Sequence, residues 1–261
     1  MKESISVITI CFNNLPDLIK TCQSVNEQST HPDEHLIIDG STNEEILKWL
    51  QAAPQPAYRR WIHERDKGIS DAFNKGVRNS KFNIIQFLNS GDIYFDKDVL
   101  KKVYDVFTAN NDIQWCHGKM QMERGGSSVI IGKPFDKKKA YRGMRSTFHP
   151  TMFVRKELFE KHGGFDIALT IAMDYDFLLR IANEKFIFIP EPLTIFDPQG
   201  VSSTKYIESL QQMKECYEKY YGKSFLLTLW QLRLKLLHFL LQSSLGKVLY
   251  KIKKGLRLEN A

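Results

Sequence analysis

The chain reads as an α/β protein built on a mostly parallel, doubly wound sheet flanked by helices, and three observations point there. Strand-like segments alternate with helix-like ones through the first 110 residues. Ile5-Ser6-Val7-Ile8-Thr9-Ile10 and Leu36-Ile37-Ile38 are nearly continuous apolar runs, the pattern of strands covered on both faces. A further run, Phe82–Leu88, stops at Asn89-Ser90-Gly91-Asp92, a glycine turn bearing a lone carboxylate. Ligands of open α/β sheets sit at such strand ends.

Taken in order, Ser6–Phe12 is expected as a strand, Leu15–Asn26 as a helix and His35–Asp39 as a second strand. Asn43–Gln51 follows as a helix, Arg60–His63 as a short strand and Ile69–Asn79 as a helix. Phe82–Leu88, β-branched and aromatic, is a buried strand, and Lys97–Ala109 a helix. The second half is less regular. Trp115–Met122 and Ser128–Gly132 are expected to pair around Gly125-Gly126, a hairpin signal. Lys133–Arg145 is basic and loop-like, and a mobile segment is expected there. Met152–Val154 and Phe186–Ile189 read as strands, and Asp174–Asn183 as a helix.

The 261 residues suit one large domain or a domain with an appendage, and 43% hydrophobic content is ample for a core. Cys11, Cys22, Cys116 and Cys216 show no metal or redox spacing, so buried free thiols are expected. Met1-Lys2-Glu3-Ser4 leads directly into a strand, so no signal peptide is expected. A reducing cytoplasm is the expected setting.

The formal net charge of +7 is confined to residues 223–261, where eight Lys and Arg face only Glu259. Residues 1–222 are formally neutral, which argues against a nucleic-acid-binding body. The chain accordingly divides into a domain over 1–222, with halves at about 1–110 and 111–222, and a basic helical tail over 223–261. Within 225–241 the polar positions Thr228, Gln231, Lys235 and His238 recur every three or four residues, continuing to Gln242, and only Arg233 lies opposite. Charges within so short a run argue against a membrane span. An amphipathic helix lying on an anionic membrane surface is expected, with packing on the domain or on a partner as the alternative.

Asn13, Asp39 and Asp92 each follow a strand, and in a parallel sheet those ends share one edge. An acid there can hold a hard cation, and the cation a diphosphate. Asp39-Gly40-Ser41-Thr42 alone would pass for a turn and helix cap. Glu64–Gly76 is more distinctive. Gly68 opens a helix whose Asp71, Asn74 and Lys75 share a face, and Asp66 with the helix N-terminus can meet a base or a phosphate. A capped surface helix with ordinary charge pairs is the plainer alternative.

The order Ile38-Asp39-Gly40-Ser41, Asp66–Gly76 and Phe87-Leu88-Asn89-Ser90-Gly91-Asp92 resembles family 2 glycosyltransferases with the GT-A fold. The likeness is greatest to bacterial enzymes of exopolysaccharide, capsule and colanic-acid assembly. His149–Arg155 and Asp174–Arg180 are similar to the family's acceptor-side segments, and the resemblance spans roughly residues 4–200. It implies that Asp39 meets the uracil and ribose side of a nucleotide. Asn13, Asp66, Gly68, Asp71, Asn74, Lys75 and Asn89 would line the donor pocket. Asp92 would hold Mg²⁺ or Mn²⁺ under the diphosphate, and Asp174 would be the general base. Asp176 and Arg180 would support that helix, and His149 would be a metal or acceptor contact or simply structural. Ser90-Gly91-Asp92 carries one acid where many relatives carry two, so the cation is expected to need the diphosphate to complete its shell.

The implied activity is a metal-dependent, inverting transfer from a nucleotide-sugar, a UDP-sugar by expectation, to a lipid-linked or membrane-bound glycan of a bacterial surface polysaccharide. It places the protein peripherally on the inner face of the cytoplasmic membrane. A sugar hydroxyl needs a base as it attacks, and a departing diphosphate needs positive charge. A non-catalytic nucleotide-sugar-binding protein is one alternative. A dinucleotide-dependent oxidoreductase is another, but Cys11-Phe12-Asn13-Asn14-Leu15-Pro16 lacks the glycines of its fingerprint.

Overall fold

A computed structural model describes residues 3–124, 127–197 and 205–243. Four parallel strands form its first half: β1 (Ile5–Cys11), β2 (Glu34–Asp39), β3 (Arg59–His63) and β4 (Ile84–Phe87). Between them run helices α1 (Leu15–Asn26), α2 (Glu45–Ala52) and α3 (Ile69–Asn79). Beyond β4 lie the two-residue β5 (Ile93–Tyr94) and helix α4 (Val99–Ala109). The second half adds β6 (Trp115–Arg124), β7 (Ser127–Ile131), β8 (Phe153–Arg155) and β9 (Phe186–Phe196). Its helices are α5 (Glu157–His162), α6 (Met173–Arg180), α7 (Tyr206–Tyr221) and α8 (Phe225–Gln242).

Among the described residues these strands make one sheet in the order β3-β2-β1-β4-β8-β6-β9-β5, with β7 paired to β6. The expected α/β class and parallel first half are therefore present. The second half is mixed, because β8 runs antiparallel to both β4 and β6 while β6 and β9 are parallel. One apolar layer packs Ile8, Leu36, Ile38 and Phe87 against α3, α5 and α6. Another packs Ile5, Val7 and Ile84 against α4. Burial on both faces means that the polar residues of β1 and β2 must be paired. His35 lies between Thr9 Oγ1 (2.9 Å) and Arg59 Nε (3.1 Å), and burial drives its pKa well below the usual imidazole value. All four cysteines are buried and free, as expected.

Three departures from the sequence reading have local causes. Strand β9 continues well past Ile189 despite Pro190 and Pro192, and its pairing with β6 shifts register around Gly118 and Lys119. Lys137–Arg142, inside the segment read as loop-like, forms a 3₁₀ turn. Ala140 is buried there, and its carbonyl accepts from Tyr175 Oη at 2.7 Å. Finally, α8 is the expected amphipathic helix, and Gln231 of its polar stripe turns towards the protein while Thr228 stays exposed. Gln231 is buried and donates to the carbonyl of Leu210 at 2.6 Å. The hairpin tip at Gly125-Gly126 and the tail cations Lys247, Lys251, Lys253, Lys254 and Arg257 lie outside the described residues.

Candidate active site

Cys11 and Asp39 are partners in the β1–β2 register, so the loops after these strands leave the sheet side by side. Asn13 laces them together. It has φ 52°, a left-handed conformation that asparagine tolerates better than most residues. Its backbone N–H donates to Ser41 Oγ (2.8 Å), its Nδ2 to Thr42 Oγ1 (2.9 Å), and its Oδ1 accepts from Thr42 N (3.0 Å).

Asp39 is fully buried. One oxygen accepts from Ser41 N at 3.0 Å and the other meets His63 Nδ1 at 2.7 Å. An ionised carboxylate only accepts, so Nδ1 carries the hydrogen and a neutral His63 keeps a lone pair on Nε2. The His63 side chain remains partly exposed. This arrangement puts His63 between Asp39 and solvent, and the sequence had drawn no attention to that histidine.

Asp66 lies directly over Gly40. A methyl group on Gly40 would come within 2.0 Å of Asp66 Oδ2, so only glycine fits beneath that carboxylate. Asp66 Oδ1 pairs with Lys75 Nζ at 2.8 Å. Lys75 is buried and also meets the carbonyls of Arg65 (2.6 Å) and Glu64 (3.3 Å) and the carboxylates of Glu64 (3.2 Å) and Asp71 (3.8 Å). Burial opposes the ammonium charge, but Asp66 and Glu64 outweigh it and raise its pKa. Asp66, Asp71 and Lys75 thus form one cluster at the head of α3, which Gly68 opens with φ 122° and no side-chain cap. Asn74 faces elsewhere. Its Nδ2 donates to Phe165 O and its Oδ1 accepts from Phe165 N, both at 2.8 Å. Ser70 Oγ donates to Leu169 O at 2.7 Å, so α3 grips the loop that leads into α6.

The turn after β4 holds Asp92 almost out of solvent. Gly91 takes φ 100°, and Thr21 Oγ1 donates to Asp92 O at 2.8 Å. Asp92 Oδ1 accepts the backbone N–H of Asp197 at 3.0 Å, and Asp197 Oδ2 would lie 2.8 Å from a methyl on Gly91. The Asp92 pKa is pushed up to about 7, first by burial and then by the Asp197 charge, against hydrogen bonds that lower it. Asn89 Oδ1 and Ser90 Oγ, in the same turn, are buried without a hydrogen-bond partner. Asp197 is the acid that sequence reasoning missed, because it lies 105 positions downstream at the end of β9 and outside any motif.

His149 stands in a 3₁₀ turn among the rings of Phe73 (5.0 Å), Phe87 (5.3 Å) and Phe165 (5.9 Å). Burial lowers its pKa to about 4, so it is neutral. Among the described residues no three His, Cys, Asp or Glu side chains form a ready-made metal cage. Asp174 opens α6, where its Oδ1 accepts from Tyr175 N at 2.7 Å. Burial raises its pKa to about 6, partly offset by backbone N–H groups. Asp176 is buried against Arg180 (3.0 Å) and Tyr220 Oη (2.9 Å), a helix support.

The profile of "Glycosyl transferase family 2" matches residues 6–163, more than half of the chain. The chain belongs to that family. A Mycobacterium tuberculosis protein described as an uncharacterized glycosyltransferase is 29% identical over 229 residues, covering 83% of this chain and 85% of its own length. A Mycobacterium bovis "PGL/p-HBAD biosynthesis glycosyltransferase" is 25% identical over 170 residues, covering 64% of this chain and 65% of its own. Among solved structures, the mannosyltransferase PcManGT from Pyrobaculum calidifontis, in complex with GDP-Man and Mn²⁺, superposes with TM-score 0.63 and 17% identity. That match covers 86% of this chain and 66% of PcManGT. S. aureus TarS 1–349 with UDP-GlcNAc gives TM-score 0.61 and 15% identity over 84% of this chain and 68% of that one. The chain spans only 40% of the longer TarS structure. As a member of that family the protein is a glycosyltransferase.

Proposed function

We propose that the protein is a metal-dependent, inverting glycosyltransferase that carries a sugar from a UDP-sugar to a hydroxyl of a lipid-linked or membrane-associated glycan of a bacterial surface polysaccharide. The carrying observation is the pair of separated acids: Asp92 beside Asp197 at the edge of the parallel strands, and Asp174 at the head of α6.

Asp92 and Asp197 fit a hard divalent cation such as Mg²⁺ or Mn²⁺. The Asp197 carboxylate lies against Gly91 and its charge acts on Asp92, and two buried oxygens of the same turn, Asn89 Oδ1 and Ser90 Oγ, have no hydrogen-bond partner. Two protein acids leave room for diphosphate oxygens and water in the shell. The cation, once bound, would neutralise the charge that develops on the departing diphosphate. Asp39 would orient His63 towards the base, with the cluster of Asp66, Asp71 and Lys75 shaping the donor pocket beneath it.

Asp174 takes the proton of the acceptor hydroxyl as its oxygen bonds to the anomeric carbon, and the bond from that carbon to the diphosphate oxygen breaks. A base poised near pH 6 is ionised at neutral pH yet still receives a proton readily. A single base with no nucleophilic carboxylate gives inversion. Support for the surface-glycan acceptor comes from the named role of the mycobacterial relative and from the basic tail. Release of UDP from a panel of UDP-sugars, with and without Mn²⁺, tests the reading. Turnover surviving in both Asp92→Ala and Asp174→Asn would refute it.

A further inference from the structure

Helix α8 packs on the protein through Leu227, Gln231 and His238 and shows water an apolar face. Leu227 and Gln231 are buried, and the His238 ring lies 5.0 Å from that of Tyr206. The opposite face presents Phe225, Leu229, Leu232, Leu236, Phe239 and Leu240, with Leu236 61% and Phe239 62% exposed. Contiguous apolar surface of this kind marks an interaction site.

We propose that this face lies on an anionic lipid bilayer. The surroundings are basic. The turn Lys137–Arg142 packs against α8, with the Tyr141 ring edge-on to Trp230 and the Arg142 guanidinium 5.2 Å from the Trp230 ring. Lys137, Lys138 and Lys139 are exposed on that turn. After α8 the sequence adds Lys247, Lys251, Lys253, Lys254 and Arg257 against Glu259 alone. Apolar side chains flanked by lysine and arginine match the interface of a negatively charged membrane. A second copy of the chain fits poorly, since a symmetric contact would set these cations against one another. No helix among the described residues is long and apolar enough to cross a membrane, so α8 would lie on the surface.

The same turn reaches the transfer site. Ala140 O accepts from Tyr175 Oη at 2.7 Å, and Tyr175 follows Asp174. Docking would therefore hold the acceptor side of the site next to the bilayer. Vesicle binding needs no turnover, so contact with the bilayer can be measured independently of sugar transfer.

The test is co-sedimentation of the full chain with phosphatidylglycerol-containing vesicles and with pure phosphatidylcholine vesicles. The wild type is expected on the anionic vesicles only, more weakly as salt rises. Leu232→Glu with Leu236→Glu and Phe239→Glu should weaken binding about a hundredfold with Tm and UDP binding unchanged. Lys138→Glu with Lys139→Glu should weaken it about fivefold per lysine or more. If the triple variant misfolds, Leu236→Glu alone serves as the same test at smaller amplitude. Equal binding by wild type and a folded α8 variant would overturn the proposal. So would a wild-type dimer in light scattering that the α8 substitutions turn into a monomer, which would make the face a contact between copies.

Discussion

Asp197 donates its backbone N–H to Asp92 Oδ1 at 3.0 Å, and its own carboxylate lies against Gly91. The single acid of the Ser90-Gly91-Asp92 turn thus has a second beside it, supplied by the far end of the chain. Asp197→Asn keeps the backbone bond and removes the charge. Mn²⁺-dependent UDP affinity should fall about 10–100-fold, with metal-free UDP affinity unchanged, as read by titration calorimetry. Equal Mn²⁺ dependence in variant and wild type would remove Asp197 from the cation site.

With Asp174 as the proposed base, its carboxyl should set the acid side of the pH profile. Its pKa is raised to about 6, so below that pH the carboxyl holds a proton and cannot take one from the acceptor. The kcat should be flat above about pH 7 and fall about tenfold per pH unit well below 6. Asp174→Asn should lower kcat about 10²–10⁴-fold with donor Kd preserved. Asp174→Glu should retain some turnover and an acid limb, and a pH-independent wild-type rate would exclude this base.

Gly40→Ala drives a methyl group to 2.0 Å from Asp66 Oδ2, so Asp66 must leave its place beside Lys75. Donor binding should weaken about tenfold or more, since an ion pair with one partner at 12% and the other at 8% exposure is costly to separate. A crystal structure of the variant with UDP would show Asp66 displaced. Unchanged donor affinity would mean that this cluster lies outside the pocket.

Asn74→Ala leaves the N–H and carbonyl of Phe165 without their side-chain partner. The expected loss is about 1–3 kcal/mol in urea unfolding, with kcat reduced more than donor affinity, because the loop it grips leads to Asp174. A variant as stable as the wild type would show that the loop holds itself.

The first half of the fold was legible because two-sided burial leaves apolar runs that only a covered strand explains. Leu15–Asn26 and Ile69–Asn79 begin and end where the sequence places them. Strand β9 was cut short because Pro190 and Pro192 normally end strands, whereas here a register shift accommodates them. Helix α7 went unread, and β5 is only two residues long. At the site, the placement of Asp39 and Asp92 at strand ends was readable from position and Asp174 from the family resemblance, but their partners were not. His63 and Asp197 belong to no motif, and only pairing across the sheet brings them in. The α8 stripe was visible as periodicity. Which face turns inward depended on a bond from Gln231 to Leu210, which periodicity does not encode.

The Asp92 turn runs straight into β5, and among the described residues β5 pairs with Ile195 and Thr194 of β9. A growing chain therefore emerges with its parallel strands complete about a hundred residues before that turn can be clamped. Such long-range pairings form late, after the local βα units. If Asp92 and Asp197 hold the cation as proposed, that grip would be the last part of the sheet to close, after the nucleotide side has its strands.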